Sequence, residues 1–105
     1  MVAVLGAGMV GRAIALDLAE KFSVTSFDVS PTNLSLLKSR NALVQTVVAN
    51  LTQFNEYKSL LAPFDIVVTA VPGFMGYKTL EAVINAGKNV VDISFFPEDV
   101  LQLNT

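Results

Sequence analysis

The stretch Gly6-Ala7-Gly8-Met9-Val10-Gly11 follows an apolar run over residues 1–5 and opens a helical pattern over residues 9–21. Within that pattern Val10, Ile14 and Leu18 recur at i, i+4 and i+8, one apolar stripe of a helix. A G-x-G-x-x-G spacing alone arises readily by chance, but between a strand and an amphipathic helix each glycine acquires a task. Gly6 permits the tight turn out of the strand, Gly8 lets backbone approach a pyrophosphate, and Gly11 lets the helix pack close to the strand. The free N–H groups and partial positive charge at the helix start suit phosphate groups. The competing reading is a tight strand-to-helix turn that binds nothing.

Outward from this turn, strand and helix signals alternate without repeats or low-complexity stretches. Residues 23–28 read as a second strand. Ser30-Pro31 then starts a helix over residues 31–40, because Ser caps free N–H groups and Pro at the first helical position gives up an N–H that lacks a partner anyway. Residues 43–48 form a third strand, Thr52 caps a third helix, and Pro63 stops it. Residues 65–71 are apolar on both faces and rich in β-branched side chains, as a strand buried between two helical layers requires. A fourth helix is expected over residues 76–86, with Leu80, Val83 and Ile84 on one face and Gly87 as the left-handed residue that closes it. Residues 89–93 are the fifth strand. Residues 96–101 look like the opening turn of another helix, so the natural polypeptide is expected to continue. Strands joined by crossover helices are parallel, and right-handed crossovers spread the helices over both sides. The expected fold is α/β: a Rossmann-type doubly wound parallel sheet of five strands with helices on both faces, one domain over residues 1–105.

Composition supports one such domain, since 105 residues are enough for one and too few for two. With 52% hydrophobic and 15% charged residues, disorder is excluded and a two-layered interior is favoured. Little polar material remains for the outside, so part of the surface is expected to pack against something beyond the sequence. A net charge of −2 with scattered Lys and Arg gives no basic field for nucleic acid. The counts of Cys and His are both 0, which removes disulfides, thiolate nucleophiles, imidazole bases and the usual zinc ligands. Chemistry must come from a cofactor or another domain. No apolar run approaches the roughly 20 residues of a membrane span, and residues 1–5 lack the charged start of a signal peptide. A cytoplasmic protein without membrane contact is expected.

Candidate ligand residues gather at the ends of the expected strands. Asp28 lies twenty-two positions after Gly6, near the spacing of about 20 for an acid on the adenosine ribose. A carboxylate there accepts hydrogen bonds from ribose hydroxyls and repels a 2′-phosphate, and no Lys or Arg follows within residues 29–35 to offset that repulsion. The expected cofactor is therefore NAD rather than NADP. The alternative for Asp28 is a solvated strand end before the Ser30-Pro31 turn. Asn50 and Leu51 end the third strand on the adenine side, where Asn50 could meet a ring edge or be a plain loop residue. Val71, Pro72 and Gly73 end the fourth strand where the strand order reverses, and their backbone is expected to flank the nicotinamide-side ribose; a strand terminator is the bland reading. Lys78, Asp92 and Ser94 stand where proton-transfer groups occur. A solvated helix residue, a strand-end hydrogen-bonding group and a turn cap account for them, so no catalytic residue is assigned. Phe95 and Phe96 suit a core or an interface.

These residues resemble the saccharopine dehydrogenase-like family, whose members oxidise or reduce C–N bonds in lysine-derived amino acids with a nicotinamide cofactor. Residues 2–20, VAVLGAGMVGRAIALDLAE, resemble many dinucleotide-binding domains. Residues 65–99, DIVVTAVPGFMGYKTLEAVINAGKNVVDISFFPED, are more telling: a Pro-containing turn leads to a helix and then to Ala-Gly-Lys-Asn-Val-Val-Asp-Ile. The resemblance implies that Gly6, Gly8, Met9, Val10 and Gly11 meet the pyrophosphate, Asp28 the ribose, and Val71 and Pro72 the nicotinamide side. It also implies that the substrate-binding residues lie in a following domain.

The expectation is an NAD-dependent dehydrogenase of lysine or saccharopine, in which this segment orients the dinucleotide and is not active by itself. Its expected partners are a small-molecule amino-acid substrate and a C-terminal substrate domain outside the sequence, with self-association into a homo-oligomer left open. The rival from another class is an NAD-sensing regulatory module of the kind attached to potassium channels and transporters. It shares the glycine turn and the acid, but the Pro72-Gly73 turn and residues 89–96 favour the dehydrogenase. A methyltransferase has a related turn, and Val10-Gly11 fits the dinucleotide loop better.

Overall fold

In the structure, a computed structural model that describes residues 1–71 and 73–93 (backbone only at 73–76), β1 (Val2–Leu5) is buried along its whole length. It has a parallel neighbour on each side. β2 (Val24–Asp28) pairs Val24 to Phe27 with Val2 to Leu5, and β4 (Ile66–Thr69) pairs Ile66 to Thr69 with the same four residues. β3 (Gln45–Val48) joins the far side of β2, and β5 (Asn89–Asp92) the far side of β4, so the order is β3-β2-β1-β4-β5 with every pairing parallel. Strand order reverses between β1 and β4. All five C-terminal ends therefore share one edge of the sheet, where ligands of open α/β sheets sit.

The period of two along the strands divides the core into two layers. Val2, Val4, Val24 and Val68 pack with Ala15 of α1 (Met9–Leu18), Leu37 of α2 (Pro31–Arg40) and Val44. On the opposite face Ala3, Leu5, Phe27 and Val67 pack with Tyr57 of α3 (Tyr57–Leu60), Leu61, Phe64 and Val83 of α4 (Gly73–Asn85). Phe27 and Phe64 meet edge to face at 5.6 Å between ring centroids. Helices cover both faces, as the alternating pattern predicts.

Local signals account for most boundaries. α2 begins at Pro31 with the Ser30 hydroxyl accepting the Asn33 N–H at 3.2 Å, and it ends at Arg40 as expected. Gly87, at φ 77°, closes α4, with its N–H on the Ile84 carbonyl and the Lys88 N–H on that of Val83. α4 starts at Gly73, three residues before the expected 76. Elsewhere the polar groups of turns shorten elements. α1 stops at Leu18, where the Glu20 N–H on the Asp17 carbonyl and the Lys21 N–H on that of Leu18, both three residues apart, tighten the last turn. β3 begins at Gln45 rather than 43, since the Asn41 side chain accepts the Leu43 N–H at 2.9 Å and folds residues 41–44 into a turn. Thr52 caps nothing: its N–H and hydroxyl both donate to Asn50 Oδ1, and a short 3₁₀ turn (Phe54–Glu56) precedes α3.

The apolar stripes also shift by a position. α1 buries Gly11 and Ala15 while Val10 is 40% exposed, and α4 buries Thr79 and Val83 while Ile84 is 56% exposed. Pro72, Ser94, the Phe95 and Phe96 pair and the expected helix start over 96–101 lie outside the described residues. Among the described residues, no helix is long and apolar enough to cross a membrane.

The third crossover is short, and one buried polar contact secures it. Tyr57, 1% exposed, donates its hydroxyl to the Leu51 carbonyl at 2.7 Å and so ties α3 to the loop leaving β3. Burial pushes the Tyr57 hydroxyl above its ordinary 10.0, with the Thr79 hydroxyl beside it pulling the other way. A folded-state value above the unfolded one means that this contribution is complete below the unfolded value and is lost as pH rises through the folded one. Tyr57→Phe should cost about 1–3 kcal/mol in urea unfolding, because the Leu51 carbonyl loses its partner in a buried setting. The variant should also show a shallower loss of stability than the parent as pH rises above 10.0, the ordinary value of a tyrosine hydroxyl.

Candidate functional site

At the centre of the C-terminal edge, the turn after β1 is held by contacts that only glycine allows. Gly6 has φ 104°, its N–H donates to the Phe27 carbonyl at 2.7 Å, and an added Cβ would overlap the Ala70 carbonyl. A Cβ on Gly11 would in turn overlap the Gly6 carbonyl. Strand β4, the turn and the first turn of α1 are thus stacked at backbone contact. Gly8 differs: it caps α1 with φ −67° and ψ −172°, and an added Cβ would meet no atom within 4 Å. Beyond it the first N–H groups of α1 have no acceptor within the helix. Met9 and Val10 stand exposed beside this opening, and Ala7 is buried beneath it.

Two charged side chains fasten the turn to the start of α2. Asp28, half-buried at the end of β2, accepts the Ala7 N–H on Oδ2 at 2.5 Å and the Ser30 N–H on Oδ1 at 2.8 Å. Arg12, one residue past the third glycine, donates from Nη1 to the Ala7 carbonyl at 2.9 Å and to Asn33 Oδ1 at 3.2 Å. The acid and the base therefore grip the two polar groups of the same residue, Ala7, and each reaches across to the β2–α2 turn.

The other expected ligand residues lie along the same edge. Asn50, at the end of β3, is exposed, and its Oδ1 is engaged by Thr52. The Leu51 side chain is 5% exposed and belongs to the core, with its carbonyl held by Tyr57. Val71, 3% exposed, follows β4 and packs in the same core layer. Lys78 is exposed on α4, and Asp92 accepts the Thr69 hydroxyl at 2.6 Å, which joins the ends of β4 and β5. Among the described residues, no group of three or more His, Cys, Asp or Glu could hold a metal ion. The arrangement offers a bare backbone surface, free N–H groups and the Arg12 cation, which suit a phosphate-bearing ligand, with the Asp28 carboxylate beside them. Arg12 lies outside the loop after β2, where the sequence pattern places cations for a phosphorylated ribose. The usable signal was its position in the first turn of α1, on the side that faces the next crossover.

Because Asp28 holds two backbone N–H groups, its replacement acts on the fold as well as on any ligand. Asp28→Ala should lower stability by about 1–3 kcal/mol in chemical denaturation. Gly11→Ala, which drives Cβ into backbone rather than into a flexible side chain, should cost at least as much.

The chain has no match among curated proteins. The sequence model described as the saccharopine dehydrogenase NADP binding domain matches residues 2–105. Among solved structures, the chain is similar to the apo form of saccharopine dehydrogenase (L-Glu forming) from Saccharomyces cerevisiae, with TM-score 0.74 and 22% identity over 87% of this chain and 21% of that one. It is similar to an NADPH-dependent quinone oxidoreductase from Escherichia coli (TM-score 0.67, 15% identity, 88% of this chain and 34% of that one). It is also similar to the PbgP3 protein from Burkholderia pseudomallei (TM-score 0.63, 15% identity, 87% and 34%). At these identities the likeness is one of fold, and the chain spans about a fifth to a third of these three proteins.

The family description corrects the expected cofactor: it points to NADP, not NAD. Residues 29–35 supply no cation, whereas the structure brings Arg12 of α1 to the β2–α2 turn, on Asn33 Oδ1. With the fold, the glycine turn and a match over nearly its whole length in agreement, the chain belongs to the saccharopine dehydrogenase NADP-binding domain family, a dinucleotide-binding domain of the oxidoreductase type.

Proposed function

We propose that this chain is the dinucleotide-holding part of an NADP-dependent oxidoreductase acting on the C–N bond of a lysine-derived amino acid, lysine or saccharopine. The observation that carries the nucleotide site is Gly8. Its backbone angles are open to any residue, and its missing side chain would touch nothing in the protein. Neither conformation nor packing calls for glycine there. A ligand pressed against the start of α1 would account for it, and the N–H groups there that have no acceptor within the helix support an anion.

On this reading Gly6, Ala7, Gly8, Met9, Val10 and Gly11 form the pyrophosphate turn, and Asp28 faces the ribose. Asn50 and Leu51 border the adenine side, with Leu51 supporting from the core rather than reaching out. Val71 and Pro72 border the nicotinamide side. When bound, the nicotinamide supplies hydride transfer. The chain's own residues orient it: Asp28 and Arg12 hold Ala7 from both sides, so the turn is formed before the ligand arrives and little ordering cost falls on binding. With 0 His and 0 Cys in the chain, proton transfer and recognition of the amino acid fall to a substrate domain elsewhere in the natural protein. Support for a lysine-derived substrate comes from the family match and from the resemblance of residues 65–99.

The natural full-length protein should bind NADPH and should reduce NADP in the presence of L-lysine or saccharopine, followed by absorbance of the reduced nicotinamide. Gly8→Ala should leave the melting temperature within about 2 °C of the parent, since its methyl meets no atom, yet weaken dinucleotide binding by about tenfold or more. Binding without turnover on either amine would shift the protein to the regulatory class, and unaltered affinity in Gly8→Ala would remove the glycine turn from the site.

A further inference from the structure

Arg12 is the one charged group on the wall of the glycine turn whose task is left open by the contacts it makes. Its hydrogen bonds, to the Ala7 carbonyl and to Asn33 Oδ1, both leave from Nη1 and both end on neutral oxygens. A guanidinium has five N–H donors in a fixed fork, so Nε and Nη2 retain donors when Nη1 is anchored. Among the described residues, no carboxylate stands within ion-pair distance of Arg12; the ion pair of the structure, Met1 with Asp65, is at the opposite, N-terminal edge of the sheet. The two anchors hold Nη1 between two turns. One is the middle of the glycine turn and the other is the first turn of α2, so the guanidinium spans the gap between the ends of β1 and β2. Asp28, at the end of β2, has each of its two oxygens turned onto a backbone N–H of the same two turns.

Resting on the reading of the preceding section, we infer that Arg12 is the residue that selects NADP, by pairing its free N–H donors with the phosphate on the 2′ position of the adenosine ribose. An arginine fork matches phosphate geometry and forms charge-assisted hydrogen bonds of the strong kind. Anchoring by Asn33 lowers the side-chain entropy lost when the phosphate is met. The arrangement also explains how an acid at the end of β2 is compatible with a phosphorylated ribose. Two amide N–H groups damp the Asp28 charge while the arginine supplies the opposite one. Asn33 is a positioning residue in this scheme, since it acts through Arg12.

The test compares dissociation constants for NADPH and NADH in the full-length natural protein, by quenching or enhancement of nicotinamide fluorescence, with a thermal melt on each variant. Arg12→Gln should weaken NADPH by about tenfold or more beyond its effect on NADH, because the contact with the Ala7 carbonyl that it also removes serves both dinucleotides. Arg12→Lys should fall between, because an ammonium keeps the charge and loses the fork. Asn33→Asp supplies a second route that leaves Arg12 in place: an acid in the first turn of a helix is favourable for folding, and its carboxylate competes with the phosphate for the guanidinium. It should lower NADPH affinity and spare NADH. Equal losses for both dinucleotides in the Arg12 variants, no loss for either, or a preference of the parent protein for NADH would overturn the assignment of Arg12. Failure of the parent protein to bind either dinucleotide would overturn the dinucleotide reading itself, and this inference with it.

Discussion

The approach of three backbones at the end of β1 is the constraint on which the rest of this structure depends. The Ala70 carbonyl occupies the space of a Gly6 side chain, and the Gly6 carbonyl occupies that of a Gly11 side chain. Close packing in a protein interior tolerates no such overlap, so the stack exists only while both positions are glycine. It fixes α1 against β1 and β4 at the point where strand order reverses. From there the start of α1 faces the edge on which the other strands end. The position of the ligand surface is thus a consequence of packing, and Gly8, outside the stack, is left with open space in front of it.

A second layer of order comes from side chains that neutralise each other's demands across this turn. Ala7 gives its N–H to Asp28 and its carbonyl to Arg12, while the same two side chains hold Ser30 and Asn33. Each contact is modest by itself, on the order of 1–3 kcal/mol for hydrogen bonds that involve a charged group. Their value lies in coupling two loops that would otherwise move independently. A turn already closed by its own protein loses less entropy on meeting a ligand. The same coupling means that Asp28 has a structural duty alongside any contact with a ribose, and effects of its replacement mix the two.

The legible part of the fold was carried by strong, local signals. Ser30-Pro31 marked the start of α2 and Gly87 the end of α4, because a cap, a ring-locked φ and a left-handed residue act within a few positions of chain. The buried strand over Ile66–Thr69 was equally plain from its β-branched run. Errors fell where a side chain chose among nearby backbone groups. Asn41 shortened β3, and Asn50 took the Thr52 hydroxyl that had been expected to cap a helix. Asn competes for local N–H groups in several geometries of similar energy, so the outcome depends on what surrounds it.

By itself the sequence determined the alternation of strands and helices, the parallel doubly wound sheet, and a glycine turn suited to a dinucleotide. All of these follow from periodicity, caps and the conformational freedom of glycine, which act over short separations. Tertiary structure decided which helix face is buried, since Gly11 and Ala15 rather than Val10 meet the sheet once α1 is pressed onto the turn. It also brought Arg12 beside Asn33, twenty-one residues away in the chain. A cofactor reading drawn from Asp28 alone leaves that cation out. A charge pattern read along one loop is blind to a cation delivered by the neighbouring crossover, because the distance that governs electrostatics is measured through space.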